Sequence, residues 1–266
     1  LVNESDLDKQ ASRPAIVFIN GEYWAIHNIR EKVNEHFLAS HHNVDPENVD
    51  ILEDLADVVE GTDEHYLAML DFIENNSLAV QQNYDYIKTQ VDIENFIKYM
   101  VTQIYAANQD WPGSNIKFWR PRTTNGKWRW ILFDTDFGFG LFDQTAYSHN
   151  TLTFATATNG PGWPNPPWST FLLRKLLENQ SFKNEFINYF CDLTNTVFKP
   201  LVVVSKINSM KSVIESEIPR HHTRWGEMSD WSNEVQRMVQ FANNRVTYMR
   251  LHFTQFFNQG SITITT

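Results

Sequence analysis

The chain holds a single cysteine, Cys191, among its 266 residues, which excludes an internal disulfide framework; its apolar setting, "INYFCDL", predicts a buried core thiol. No apolar run approaches the roughly 20 residues that cross a bilayer. No charged-then-apolar leader opens the sequence, so a secretory signal would have to lie upstream of Leu1. Basic residues are outnumbered: 22 Lys and Arg face 32 Asp and Glu, for a formal net charge of -10. Nucleic-acid binding needs a basic face against the phosphates, which this balance does not supply, whereas a cationic partner suits it. Internal repeats, low-complexity tracts, a Walker GxxxxGK sequence and a Gly-rich phosphate loop are also missing. The pairs His41-His42 and His221-His222 lack the spacing of a zinc site and read as surface residues.

What is present is enough apolar material, 42% of residues, to bury one large domain or two small ones. "AIVFI" (Ala15 to Ile19), Asn20-Gly21 and "EYWAIHNI" (Glu22 to Ile29) read as a hairpin, because Asn-Gly accepts the positive φ angles of a type I′ turn. A short helix is expected over Glu31 to Phe37. Between Asp45 and Glu64 stand nine acids and no Lys or Arg, which reads as a solvated surface or an acidic docking face. Asp92 caps a helix whose apolar positions, Ile93, Phe96, Ile97, Met100, Val101, Ile104 and Tyr105, recur at helical spacing until Asn108. Helical spacing returns over Phe171 to Leu177, Phe182 to Leu193, Val204 to Ile218 and Val235 to Phe253. The tail "SITITT" alternates like a strand. The expected division is therefore a main domain over 1–260 and the start of a following β module at 261–266.

The chemistry gathers after the helix that ends at Asn108. "NQDWPGSN" (Asn108 to Asn115) places Asp110 and Asn115 five apart in a turn-rich loop, and "ILFDTDFGFG" (Ile131 to Gly140) puts Asp134 and Asp136 at the end of an apolar strand. Between them, "IKFWR" (Ile116 to Arg120) and "KWRWILF" (Lys127 to Phe133) read as strands joined at Asn125-Gly126, another hairpin signal. A hairpin returns the chain to its start, so Asp110 and Asn115 should approach Asp134 and Asp136. In an extended "DTD" the two Asp side chains share a face. Three carboxylates and an amide oxygen in one place call for a cation, and hard oxygen ligands suit Mg²⁺ with phosphate oxygens completing its shell. Asp, four residues, Asn, a hairpin and then Asp-Phe-Gly at Asp136 to Gly138 also repeats the plan of a kinase catalytic loop and its metal-binding segment, though Asn108-Gln109 stands where His-Arg would be.

At these residues the chain resembles the spore-coat protein H (CotH) kinase family, a divergent protein-kinase-like group. The resemblance covers "FINGEYWAIHNIREKV" (Phe18 to Val33), "NQDWPGSNIKFWRP" (Asn108 to Pro121), "KWRWILFDTDFGFG" (Lys127 to Gly140) and "STFLLRKLLENQSFKNEF" (Ser169 to Phe186). It implies an α+β, atypical protein-kinase-like fold with antiparallel hairpins around the site and a helical carboxyl-terminal half. It also implies an atypical protein kinase that uses ATP and Mg²⁺ to phosphorylate serine in protein substrates, Lys- and Arg-rich ones among them, and a secreted, cell-surface or spore-coat location. By position, Asp110 matches the catalytic aspartate, Asn115 a metal ligand, and Asp134 or Asp136 the metal aspartate. Glu31, after the second strand of the first hairpin, could serve the nucleotide side or simply begin a helix at the surface. Family members carry a substantial portion ahead of the "NGEY" hairpin that contributes to the nucleotide site. Only Leu1 to Pro14 precede it here, so residues 1–266 are expected to hold metal with weak or absent transfer.

Blander readings stand beside these. Asp110 and Asn115 could merely shape a Pro-Gly turn, and Asp134 with Asp136 could end a strand. Trp119, Trp128 and Trp130 read as sheet packing rather than sugar platforms. Two other functions fit the same residues: a surface adhesin or host-binding protein contacting its target through "TNGPGWPNPPW" (Thr158 to Trp168), and a metal-dependent hydrolase or sugar transferase built on "DTD".

Overall fold

The computed structural model describes residues 1–2, 6–226 and 230–259. The strand expected at 261–266 lies outside them. Among the described residues, seven strands and ten α-helices follow one another as β1 (Asp8–Lys9), β2 (Ser12–Ile19), β3 (Glu22–Arg30), α1 (Glu35–His42), β4 (Val49–Glu53), β5 (Asp57–Glu60), α2 (Glu64–Asn75), α3 (Gln81–Gln90), α4 (Ile93–Ala106), β6 (Lys117–Pro121), β7 (Arg129–Leu132), α5 (Thr151–Phe154), α6 (Phe171–Leu176), α7 (Gln180–Asn195), α8 (Pro200–Ile214), α9 (Ile218–Trp225) and α10 (Trp231–Phe256). The class is α+β with a helical carboxyl-terminal half. Five strands form one mixed sheet in the order β1-β7-β6-β4-β5, with β1 parallel to β7 and the other neighbours antiparallel; β2 and β3 form a separate two-stranded sheet.

The β2–β3 turn follows from its residue types. Asn20 has φ 53° and Gly21 φ 82°, the left-handed pair that a type I′ turn requires. The second hairpin pairs as its strands suggest, Lys117 opposite Ile131 and Trp119 opposite Arg129, but its connection differs. Gly126 N–H closes a turn onto the Thr123 carbonyl at 3.0 Å, so Asn125 is an interior residue of that turn, and its φ is not positive. Gly126 is needed there for space, since a Cβ would stand 1.9 Å from the Pro121 carbonyl oxygen.

Three other expectations shift. Helix α1 begins at Glu35 rather than Glu31, because β3 pairs as far as Arg30 with Ser12 and Asn34 Oδ1 then accepts from Phe37 N–H at 3.1 Å as the cap. The acidic stretch from Asp45 is only partly solvated: it carries β4, where Val49, Ile51 and Leu52 are fully buried, and buried Asp50 accepts from Thr62 N–H at 3.0 Å and lies 3.8 Å from both Arg120 and Arg122. The helix read through Ile218 stops at Ile214, and Pro219 opens α9 instead, since proline is tolerated in a first turn but not inside a helix. Cys191 is half-buried rather than buried.

Helix α4 is the central pillar. Most of its residues are buried, because the sheet covers one face through β7 while α7 and α10 cover the other. On α7, Phe182, Phe186 and Phe190 repeat every four residues and so share one stripe. Phe253 of α10 stacks on Phe190 at 3.5 Å and on Phe186 at 5.7 Å between ring centroids. Each buried ring contributes about 1.5–3 kcal/mol, so this seam fixes the helical half against α4 and, through α4, the loop that follows it.

Candidate functional site

The site starts where α4 ends. Ala107 adopts φ 49°, a left-handed cap that turns the chain out of the helix, and Asn108 Nδ2 bonds Gln103 Oε1 at 3.1 Å. The outgoing loop is then laced to the segment after β7: Gln109 N–H donates to the Phe137 carbonyl at 3.3 Å, and Phe139 N–H to the Ala106 carbonyl at 2.8 Å. Gly138 sits at this crossing, where a Cβ would lie 3.0 Å from the carbonyl oxygens of Ala106 and Thr135. The glycine of Asp-Phe-Gly thus lets two loops close on each other.

Asp110 is 5% exposed, and Asn115, at φ 56°, donates its side-chain amide to Asp110 Oδ2. On the other loop, Asp134 and Asp136 are joined side chain to side chain. Strand β7 stops at Leu132 and Asp134 has φ 43°, so these two carboxyls meet through a turn, not through the alternation of an extended strand. The two pairs act on each other. Burial, opposed by the Asn115 hydrogen bond and reinforced by the charges of Asp136 and Asp134, pushes the Asp110 carboxyl up to about 6. Burial and the Asp136 carboxyl likewise raise Asp134, partly offset by Arg30. Tyr99, Trp111, Ile116 and Phe118 also wall an apolar cavity of about 100 Å³ next to this loop.

A divalent cation suits this donor set on two observations. Asp110 Oδ1 is buried without a hydrogen-bond partner, and Asp134 is a carboxyl driven toward its protonated form by burial and by the adjoining Asp136 carboxyl. Among the described residues, no three His, Cys, Asp or Glu side chains form a ready metal cage, so the acids stand as two pairs rather than a closed shell. That arrangement is compatible with Mg²⁺, which keeps few protein ligands and takes the rest from water and phosphate.

Glu31 is engaged elsewhere. Its Oε2 accepts from Ala11 N–H at 3.0 Å and its Oε1 lies 2.9 Å from His41 Nε2, contacts that hold its carboxyl below the usual range. It is its neighbour Arg30 whose charge bears on Asp134. The link is structural: Gln10 N–H bonds the Leu132 carbonyl at 3.4 Å while its side chain bonds the Glu31 carbonyl, so the end of β3 is tied to the end of β7. Arg30, Asp54 and Lys117, which carry no motif in the sequence, also lie around the two loops. Asp54, at φ 45°, exchanges hydrogen bonds with Ile116, next to Asn115. Lys117 pairs with Glu53 across β6 and β4 at 2.5 Å and lies 5.4 Å from the ring of Phe133, which precedes Asp134. Cross-strand opposition of Glu53 and Lys117 was the available signal for this pair.

No curated protein matches this chain. A family model described as CotH kinase protein matches residues 1–249, which include both acidic pairs, their connecting hairpin and the α4 pillar, and the chain therefore belongs to the CotH kinase protein family.

Proposed function

We propose that this chain is an ATP- and Mg²⁺-dependent phosphotransferase that phosphorylates serine in protein substrates. Membership of a kinase family supports the reaction class. The observation that carries the reading is the buried Asp110, with one oxygen held by Asn115, the other without a partner, and a carboxyl pushed up to about 6 by burial, with the charges of Asp136 and Asp134 adding to it. A base poised near neutrality is suited to orient a serine hydroxyl and take its proton. Asn115, Asp134 and Asp136 would hold Mg²⁺, which when bound neutralises charge on the transferring phosphoryl group. Arg30 adds positive charge on the Asp134 side, where phosphate oxygens would lie. A protein substrate rich in Lys and Arg suits the net charge of -10.

The test uses the full-length protein with MgATP and a Lys- and Arg-rich serine peptide, followed by mass spectrometry for phosphoserine and calorimetry for ATP. Asp110→Ala should lower turnover by at least about 10²-fold while retaining ATP affinity. Asp134→Ala or Asp136→Ala should instead weaken Mg²⁺-dependent ATP binding. A protein that binds ATP but transfers no phosphate to peptide, protein or itself, or that turns over a nucleotide sugar, would refute the assignment.

A further inference from the structure

Two large rings are exposed at this site although such rings are ordinarily covered: Trp163 is 59% exposed and Phe142 67%. Both stand on anchored segments. The Trp163 indole donates to Ser114 Oγ at 2.9 Å, one residue from Asn115, and the adjoining Pro164 carbonyl accepts from Gly113 N–H at 2.7 Å. A Cβ on Gly113 would lie 2.4 Å from Pro166 and 2.6 Å from that carbonyl, so the loop around Trp163 is seated directly on the Asp110–Asn115 loop. Fully buried Asn165 fixes its far side by bonding the Phe154 carbonyl at 2.6 Å. Phe142 stands edge-on to Phe137 at 4.8 Å, Phe137 accepts from Gln109, and Arg237 Nη1 clamps the Leu141 carbonyl at 2.7 Å. The two rings therefore stand on segments fastened to the Asp110 loop on either side, at Gln109 and at Gly113-Ser114.

We infer that Trp163 and Phe142 form the acceptor rim of the site and receive the cationic side chains flanking the target serine of an extended protein segment. The inference rests on the phosphotransferase reading for the identity of the acceptor. Charge complementarity selects the occupant: the chain carries a net charge of -10, and a guanidinium or ammonium group over an exposed indole face gains from the ring while the protein's field favours the cation. An exposed ring could instead stack a nucleobase. Both rings, however, are fastened to the loop that carries Asp110, the residue assigned to the acceptor.

The experiment measures anisotropy of two fluorescein-labelled peptides on the full-length protein, one with a single serine flanked by arginines and one with glutamines in their place, alongside calorimetry with MgATP. Trp163→Ala should weaken the arginine peptide about 3- to 30-fold, Trp163→Phe less, and Phe142→Ala by a similar or smaller factor. MgATP affinity should stay within about twofold in all three, and the glutamine peptide should bind weakly to every form. The inference is overturned if the wild type does not bind the arginine peptide, if both peptides lose equally, or if Trp163→Ala weakens MgATP and leaves the peptide unchanged, which would make the ring a base-stacking platform. Peptide binding does not require transfer. A rim that binds and depends on Trp163 in a protein that never forms phosphoserine would stand as a cation-binding surface while the phosphotransferase reading failed.

Discussion

At the scale of single residues, burying the Asp110 carboxyl beside two other acids costs stability at neutral pH. Its folded-state pKa of about 6 exceeds the ordinary 3.8, so the folded protein binds the proton more tightly than the unfolded chain does. In metal-free buffer its contribution is favourable below about pH 4, declines as pH rises through about 6, and is a full penalty above that. Asp110→Asn keeps an oxygen for the Asn115 amide and removes the charge. It should therefore raise the melting temperature at pH 7.5, by an amount equivalent to about 1–2 kcal/mol once solvent screening is allowed for, and lose that gain near pH 4. Thermal unfolding at the two pH values checks this, and an equal effect at both would remove the charge argument. The pairing of Asp110 with Asn115 and of Asp134 with Asp136 was legible because the strands between them, "IKFWR" and "KWRWILF", pair as a hairpin and bring its two ends together. Arg30 and Asp54 were not, because one reaches the site through a docked strand end and the other sits in a left-handed turn.

At the scale of elements, strong apolar periodicity was readable and acidic strands were not. The pillar α4 lies where the Asp92 cap and its stripe place it, and α7 and α10 follow theirs with ends moved by a few residues. Strand β4 is not legible because Asp50 and Glu53 break up its pattern, yet Asp50 is buried against Arg120 on β6 and Arg122 just past its end, a compensation that appears only once β4 and β6 are paired. The loop of Thr158 to Trp168 reads in sequence as a free contact segment but is docked on the Asp110 loop. That docking gives a prediction with an internal control. Gly113→Ala would drive a Cβ into Pro164 and Pro166, whereas Gly162, in the docked loop of Thr158 to Trp168, has nothing within 4 Å of its added Cβ. The first substitution should cost about 1–3 kcal/mol and lower transfer, and the second should change neither by much. Chemical denaturation of both variants decides it, and equal stabilities would mean that the loops are not seated on each other.

At the scale of the whole molecule, one arginine connects the helical half to the site. Arg245 of α10 is fully buried, and its hydrogen bonds go to the carbonyls of Ile104, Tyr105, Tyr147 and His149 and to Thr151 Oγ1. Burial lowers its pKa, Tyr105 only partly offsets this, and its hydrogen bonds among the described residues go to carbonyl oxygens and a hydroxyl, two of the carbonyls at the carboxyl end of α4 where the helix dipole is negative. The signal in the sequence was a charged residue on an apolar stripe: Phe241, Ala242, Val246, Met249 and Phe253 are all buried on the same helix face. Arg245→Met keeps the bulk and removes every donor, which strands buried carbonyls and should cost about 3–5 kcal/mol. Because the next carbonyl, that of Ala106, holds Phe139, the damage should spread along both site loops. Amide exchange at Asn108, Gln109 and Phe139 should accelerate by more than at Leu38 and Leu52, which are buried on the α1 and β4 side of the molecule. Uniform acceleration would make Arg245 a general stabiliser of the fold, whereas unchanged exchange with unchanged stability would show that the carbonyls find other donors and that α10 is not what holds the site in place.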